Sequence, residues 1–121
     1  MKKSKKLHRI LEFLSTESER QGKSSFNSGE IAKAFDSELS IYEINTLCKI
    51  LIDNEDVRDA TTGDELREKM IAVLIIAATH DAYHTKKYLK RDWLKYLKTF
   101  GIIIAILAGI AAIITLLINI L

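Results

Sequence analysis

The stretch GIIIAILAGIAAIITLLINIL, residues 101–121, decides how this chain is organised. It contains 21 consecutive residues without a charged side chain, and 13 of them are Ile or Leu. A helix of that length spans roughly 31 Å, which matches a hydrocarbon core of about 30 Å, and its Ile and Leu residues favour insertion by about 4 to 8 kcal/mol. The rest of the chain is too short to cover a helix that is apolar on every side. The stretch therefore predicts a transmembrane helix over residues 101–121.

Small or polar residues recur along this predicted helix at spacings of 4, 3, 4, 3 and 4, as Gly101, Ala105, Ala108, Ala112, Thr115 and Asn119. Transmembrane helices associate through close packing and interhelical hydrogen bonds, because lipid tails give them no hydrophobic reason to pair. This seam predicts a homo-oligomer, and its heptad spacing favours a left-handed arrangement. A second seam, Gly101-xxx-Ala105-xxx-Gly109, favours a right-handed crossing, so the sequence leaves the handedness open.

The charges are strongly segregated, although the formal net charge is only +2. Residues 2–9 and residues 86–98 each contribute +5, and the residues between them carry 7 basic and 15 acidic side chains. A cationic cluster just before a membrane span stays on the cytoplasmic side. We therefore expect an inner-membrane protein with its N-terminal domain in the cytoplasm and nothing displayed at the far face.

Two further features fit a cytoplasmic domain. The basic N-terminus is interrupted by His8, Arg9 and Glu12, so it lacks the apolar centre of a signal peptide. Cys48 is the only cysteine, which excludes an internal disulfide and a Cys-based zinc site.

Residues 83–100 predict a basic, aromatic juxtamembrane segment, helical from about Thr85. The rings of Tyr88, Trp93, Tyr96 and Phe100 are expected at the headgroup layer. Basic residues beside a membrane gain about 1 kcal/mol each from anionic lipid. The residues expected to bind headgroups and fix the topology are Lys86, Lys87, Lys90, Arg91, Trp93, Lys95, Tyr96 and Lys98.

Residues 1–82 predict a small helical domain. A first helix is expected from Lys5 to about Glu19, followed by a loop over residues 22–25. Capping signatures, in which a polar residue precedes a Glu by three positions, predict a second helix beginning after Asn27 and a third after Ser40. The third helix should end near Asp53, with Cys48 on its buried stripe.

The region after the third helix permits two interpretations. We favour a strand over Val57–Thr61, a turn at residues 62–64, a second strand over Leu66–Ala72 and a helix beginning at Val73. The spacing of Leu66, Met70, Val73 and Ala77 equally fits one continuous helix. With the first interpretation, the predicted fold class is mainly α, with a winged helix-turn-helix-like domain, a basic juxtamembrane helix and one C-terminal transmembrane helix.

This layout resembles small uncharacterised bacterial proteins that have an N-terminal winged-helix-like domain and one C-terminal transmembrane helix. The matching segments are LHRILEFL (7–14), SGEIAKAF (28–35), SIYEINTLCKIL (40–51), DAYHTKKYLKRDWLKYL (81–97) and the span. That group usually has a Gly-Gly-Tyr-Thr-like element before the basic helix. Here Asp81-Ala82 stands in place of Gly-Gly, and only Tyr83 matches. The resemblance implies no enzymatic activity.

A winged helix invites a DNA-binding hypothesis in which the third helix enters the major groove. Its outward face would present Tyr42, Asn45, Thr46 and Lys49, with Lys2 to Arg9 contacting phosphates. Residues 38–68, however, hold nine acids and three bases, and a face of that charge repels nucleic acid. We therefore favour a contact with an unknown protein partner through the same face.

Other chemistry has little support in the sequence. His80, Asp81 and His84 have no third metal ligand at matching spacing, so they predict a polar cluster, with pH sensing as a narrower alternative. No catalytic constellation or phosphate loop stands out, and we expect no enzyme, cofactor or metal. The leading hypothesis is a membrane-anchored, self-associating interaction or regulatory module. The alternatives are a membrane-tethered DNA-binding protein and a small membrane-perturbing effector, such as a toxin or phage-defence component.

Overall fold

The computed structural model describes residues 2–36 and 38–120, and the side chains of residues 91–96 lie outside that description. The chain forms two units, residues 1–89 and residues 90–121. The fold is mainly helical, with one small sheet. Its elements in chain order are α1 (Lys3–Gln21), β1 (Ser25–Asn27), α2 (Ser28–Ala34), α3 (Ile41–Asp53), β2 (Arg58–Asp59), α4 (Gly63–Arg67), β3 (Ala72–Leu74), α5 (Ala77–His84) and α6 (Lys87–Ile120).

Capping residues near the ends of α1, α2 and α3 explain where these helices begin or end. α1 ends at Gly22, whose φ of 63° is the left-handed conformation that closes many helices. At the start of α2 the Asn27 side chain accepts from the Glu30 N–H at 2.9 Å, and the Glu30 carboxylate accepts from the Asn27 N–H. Ser40 caps α3 by accepting from the Glu43 N–H at 3.1 Å. The expected helix starts after Asn27 and Ser40 are confirmed.

The sheet is antiparallel, with strand order β1-β3-β2. Its centre is β3, where Val73 pairs with Phe26 of β1 on one side and with Asp59 of β2 on the other. β1 was not expected, because residues 22–25 were predicted as a loop. Ser25–Asn27 has only three residues, too few to show an alternating pattern, and it becomes a strand by pairing with β3.

The region after α3 corrects several predictions. A strand does form within Val57–Thr61, at Arg58–Asp59, but the expected turn at residues 62–64 is the start of α4. The second strand is β3, not Leu66–Ala72, and the next helix begins at Ala77 rather than Val73. The continuous-helix alternative is wrong. The Glu65 side chain accepts from the Thr62 N–H at 3.0 Å. This cap stabilises the start of α4 at Gly63, where the sequence had predicted a non-helical turn.

The hydrophobic core of the first unit contains side chains from its helices and from its sheet. It contains the apolar stripe of α1, the buried side chains of α2 and α3, and the inward side of the sheet: Leu7, Ile10, Leu11, Leu14, Phe26, Ile31, Phe35, Leu39, Ile44, Leu47, Cys48, Leu51, Val57 and Val73. Phe13 adds an edge-to-face contact with Phe26 at 5.4 Å. α5 packs along α1 and contributes Ala82 to the same core.

A buried carboxylate links the last part of the first unit to its centre. Asp56, which is 3% exposed, accepts from Lys87 Nζ at 2.7 Å and from the Tyr88 hydroxyl. Its backbone carbonyl accepts from the Thr79 hydroxyl at 2.5 Å, and Asn54 donates to the Tyr88 oxygen at 2.9 Å. A buried carboxylate is tolerated only when it is paired and hydrogen-bonded, and both conditions are met here. The first unit therefore extends to Leu89, beyond the boundary expected at residue 82.

Tyr88 corrects the expectation for the juxtamembrane aromatics. Its side chain was expected at the headgroup layer, yet it is 3% exposed within the first unit. The junction between α5 and α6 lies at Thr85 and Lys86, and Lys86 has a φ of 53°. Trp93 and Tyr96 lie outside the described side chains, and Phe100 is exposed.

α6 contains one stretch that is long and apolar enough to cross a membrane, Leu97–Ile120, with a mean hydropathy of 3.0. Every residue of this stretch is exposed. The alternative of a core helix in a soluble domain predicts the opposite, because such a helix is covered by its neighbours.

We predict that Tyr88→Phe lowers the free energy of unfolding of the first unit by about 1 to 3 kcal/mol, because the buried Asp56 carboxylate loses a donor. The matched control is Tyr42→Phe, whose hydroxyl belongs to a side chain that is 81% exposed, and we expect a change within about 0.5 kcal/mol. The measurement is the rate of thiol labelling of the buried Cys48 in the detergent-solubilised full chain, since this thiol reacts only when the core opens. Equal labelling rates in the two variants would contradict the structural role of Tyr88.

Candidate functional site

The outward side of α3 combines exposed and internally bonded residues. Tyr42, Thr46 and Lys49 are exposed, as the sequence predicted. The Thr46 hydroxyl donates to the Tyr42 carbonyl at 3.1 Å, so it is already used by its own helix. The Tyr42 residue is 81% exposed, so its ring is open to solvent.

Asn45 has a role within the fold that the sequence did not reveal. Its side-chain N–H donates to the Lys69 carbonyl at 2.8 Å, and its oxygen accepts from the Ile71 N–H at 3.2 Å. These bonds attach α3 to the segment between α4 and β3. A side chain bonded at both ends is not free to read the edge of a base, which needs the same two groups.

A cleft that sequence reasoning missed lies beside the start of α3. Its volume is about 580 Å³, and it is lined by residues of α2, of the first turn of α3 and of the segment before β3: Asn27, Gly29, Glu30, Ala32, Lys33, Leu39, Ser40, Ile41 and Met70. Ile41, which is 43% exposed, forms part of this wall and precedes Tyr42. We group this cleft with the exposed Tyr42 ring, which follows Ile41 in the first turn of α3, and call the two together the α3 face.

Two of the basic residues that were expected to contact phosphates pair with acids inside the first unit. Lys6 binds the Glu43 carboxylate, and Arg9 lies 3.3 Å from Glu38. The Arg9 guanidinium also covers the Phe35 ring, with its central carbon 4.7 Å from the ring centroid. These contacts hold the basic side of α1 against the region around α3, so they reduce the positive charge offered to a nucleic acid.

His80 lies against α1, where it contacts two side chains. His80 Nδ1 lies 2.7 Å from the Ser15 hydroxyl and 3.9 Å from a Glu19 oxygen. Because Ser15 and Glu19 share one ring nitrogen, the imidazole cannot relay a proton from one to the other. Among the residues that the structure describes, no group of three His, Cys, Asp or Glu side chains is placed to hold a metal ion.

His8 lies where α1 packs along α5. Burial lowers the pKa of His8, Glu12 opposes that shift, and the positive charge of Lys86 adds to it. The ring packs on Tyr83 with 5.6 Å between centroids, and no residue that the structure describes is a hydrogen-bond partner of its buried Nδ1. Burial likewise raises the pKa of the Cys48 thiol to about 12, so this cysteine is an inert core residue.

The residues expected to bind headgroups fall into three groups. Lys86, Lys90 and Lys98 are exposed. Lys87 is bonded to Asp56, so its ammonium group is partly used within the first unit. Arg91, Trp93, Lys95 and Tyr96 lie outside the described side chains.

The predicted oligomer seam lies on the exposed part of α6. A methyl group added at Gly101 or Gly109 would meet no atom within 4 Å, so both positions are open for close approach. The Thr115 hydroxyl donates to the Ala111 carbonyl at 2.9 Å, which leaves its oxygen able to accept a further bond. No known protein family, curated protein or solved structure matches this chain.

We predict that the first unit loses stability as the pH falls below about 6.5, the ordinary pKa of histidine. The unfolded His8 binds a proton there that the folded ring resists, so folding stability rises with pH across this range. His8→Phe keeps a ring against Tyr83, removes the titration and removes the unpartnered Nδ1. We expect the variant to be more stable by about 1 kcal/mol, with a weaker dependence on pH.

The measurement for His8 is Cys48 labelling of both proteins between pH 5.5 and pH 8, compared at each pH so that the intrinsic reactivity of the thiol cancels. An identical pH dependence in the two proteins would show that His8 does not carry this effect.

Proposed function

We propose that this chain is a membrane-anchored interaction module, in which α6 crosses the inner membrane once and the first unit lies in the cytoplasm. The observation that carries this proposal is the uncovered stretch Leu97–Ile120, which follows a unit with its own closed core. An apolar helix of this length needs an apolar solvent, and a bilayer supplies it. The excess of basic residues just before the stretch supports a cytoplasmic first unit.

We further propose that the first unit is a winged-helix-like domain. The order α1-β1-α2-α3-β2-β3, with β3 between the other two strands, supports this assignment. In that arrangement α3 is the recognition helix and the segment between β2 and β3 is the wing. The short α4 lies within this wing.

The α3 face is the proposed partner surface, and the partner that it fits best is a protein. Tyr42 supplies an exposed ring, and the cleft beside it offers apolar walls of the kind that receive a side chain of a partner. Asn45 is engaged within the fold, and the surrounding residues 38–68 carry six more acids than bases. Both observations favour a protein partner over DNA.

The proposed anchors self-associate and bring several first units together. The seam of Gly101, Ala105, Ala108, Ala112, Thr115 and Asn119 supports a close helix–helix contact. Clustering strengthens a weak contact, because several α3 faces can bind a multivalent partner at once.

We predict that the full chain forms a defined oligomer in nanodiscs and that Ala112→Leu disrupts it, since a larger side chain separates the helices along the heptad seam. Gly109→Leu obstructs only the right-handed seam, so the two variants distinguish the handedness. Ile110→Leu conserves volume and should leave the oligomer unchanged. The measurement is the mass of the nanodisc-embedded protein, and a monomer in the unsubstituted chain would contradict self-association.

We predict that a photocrosslinking residue at Tyr42 forms a discrete protein adduct in cell membranes, whereas the same residue at the exposed Gln21 does not. Ile41→Asp, which places a charge in the wall of the cleft, should lower the adduct yield at least fivefold. Crosslinking of Tyr42 to nucleic acid would support the DNA-binding alternative. Recovery of the chain in the alkali-soluble fraction would contradict membrane anchoring itself.

A further inference from the structure

One edge of the sheet in the first unit is formed by β2. In the strand order β1-β3-β2, no other strand among the described residues pairs with its outer side. The antiparallel register with β3 continues just past β2, where the Ala60 N–H donates to the Ala72 carbonyl at 2.9 Å. In an antiparallel ladder, alternate residues direct their backbone groups to the same neighbour. Arg58 and Ala60 therefore face β3, and the backbone N–H and C=O of Asp59 point away from it.

The outward backbone groups of Asp59 are accessible. Asp59 is exposed, and none of the described residues forms a backbone hydrogen bond with it on its outer side. An unpaired strand edge is a template for a further strand, and extended peptides bind such edges by β-augmentation. A short, charged edge such as Arg58–Asp59 does not pair indiscriminately. Selective binding therefore needs a side-chain pocket next to the edge.

A second cleft supplies that pocket. Its volume is about 480 Å³, and it is lined by Ile52, Glu55, Val57, Arg58, Asp59 and Ile76. Consecutive side chains of a strand point to opposite faces of the sheet, so a cleft that contacts residues 57, 58 and 59 follows the edge of the strand. Ile52, Val57 and Ile76 form the apolar part of its lining, which suits an aliphatic side chain.

The charged groups of this second cleft favour a basic occupant. Two carboxylates, of Glu55 and Asp59, lie beside one guanidinium, of Arg58, and within the described part of the chain none of the three forms an ion pair. Hydrogen bonds from Thr61 lower the pKa of the Asp59 carboxyl, so it is negatively charged at neutral pH. Residues 38–68 also carry six more acids than bases. A basic side chain directly opposite Asp59 is therefore stabilised.

A second copy of β2 fits this edge poorly. A two-fold dimer would pair the two β2 strands antiparallel, and only residues with outward backbone groups can bond to each other. A pairing centred on Arg58 places two Arg58 side chains opposite each other, and a pairing centred on Asp59 does the same with two carboxylates. Like charges that lie directly opposite each other are destabilising. The edge therefore fits a strand of different sequence.

We propose that the β2 edge binds an extended basic peptide by β-augmentation. The peptide backbone pairs with Asp59, a Lys or Arg side chain lies opposite its carboxylate, and an aliphatic side chain enters the second cleft. Val57 and Asp59 lie on the same face of the strand, so an antiparallel peptide brings the residue two positions after its basic one beside Val57. The sequence pattern that fits is therefore basic-x-aliphatic.

This peptide site is separate from the α3 face. Ile41 lines the cleft of the α3 face and Ile52 lines the second cleft. The two residues are eleven positions apart on α3, which is about 16 Å along the helix axis. The proposed site lies wholly within the first unit, so it can be tested independently of the membrane anchoring.

The experiment measures fluorescence polarisation of the labelled peptide fluorescein-Thr-Lys-Thr-Val-Thr-amide with the full chain in a neutral detergent. We expect saturable binding. N-methylation at the peptide Lys removes the N–H that pairs with the Asp59 carbonyl, and it should weaken binding about fivefold. N-methylation at the central Thr, whose N–H points away from β2, is the matched control and should leave the affinity unchanged.

Two substitutions test the same bond from the side of the protein. Asp59→Pro and Asp59→Ala both remove the carboxylate, but only proline removes the outward N–H, which the sheet itself does not use. We expect the Pro variant to bind the peptide about fivefold more weakly than the Ala variant. Equal rates of Cys48 labelling in the two variants would show that both retain the core. The N-methylated peptides are applied to the unsubstituted chain, so they decide the proposal even if Asp59→Pro loosens the fold.

Equal affinities of the two N-methylated peptides, or no saturable binding at all, would overturn the proposal. Tyr42→Ala should leave peptide binding unchanged. A loss of binding in that variant would place the peptide on the α3 face, which contradicts the edge site and supports the proposed partner surface. A lower oligomer mass of Asp59→Pro in nanodiscs would assign the edge to a second copy of this chain, and this result would also overturn the proposal.

Discussion

A long apolar helix whose described residues from Leu97 to Ile120 are all exposed sets the main physical constraint on this protein. Leu97–Ile120 exposes Ile and Leu on all sides, and each such side chain costs about 1.5 to 3 kcal/mol when it is left in water. The first unit has a core of its own, formed by α1, α2, α3 and the sheet. The chain therefore has two separate sets of apolar side chains. Those of the first unit are buried in its core, whereas those of Leu97–Ile120 are exposed.

Within the first unit, the Asp56 carboxylate has the central role in joining distant segments. It lies just after α3, and its partners Lys87 and Tyr88 come from the first turn of α6. Thr79 brings α5 to the same residue. Removing one partner would leave a buried charge or a buried polar group without a hydrogen bond. The free-energy cost of that loss keeps the three segments together. Tyr88 and Lys87 were both expected to contact lipid, and this cluster buries Tyr88 and partly uses the ammonium group of Lys87.

The proposed role of each surface depends on which of its polar groups already form hydrogen bonds or ion pairs within the fold. Asn45, Lys6 and Arg9 were attractive contacts for nucleic acid, and each is engaged inside the first unit. Tyr42 and the adjoining cleft, in contrast, are open.

The sequence by itself determined the features that depend on neighbours along the chain. Unbroken hydropathy identified the apolar helix, and capping at Asn27 and Ser40 fixed where α2 and α3 begin. These signals are local, because a helix satisfies its backbone within one turn or with its own caps. The buried position of Cys48 followed from the same periodicity.

Only the tertiary structure decided the features that depend on residues far apart. Three-residue strands such as β1 and β3 exist through their pairing partners, and no pattern inside them identifies them. The burial of Tyr88 depends on Asp56, and the occupation of Asn45 depends on Lys69 and Ile71. The contact between His8 and Tyr83 depends on α1 packing along α5. In each case the stabilising free energy comes from a contact between residues far apart in the chain. No local sequence pattern predicts such a contact.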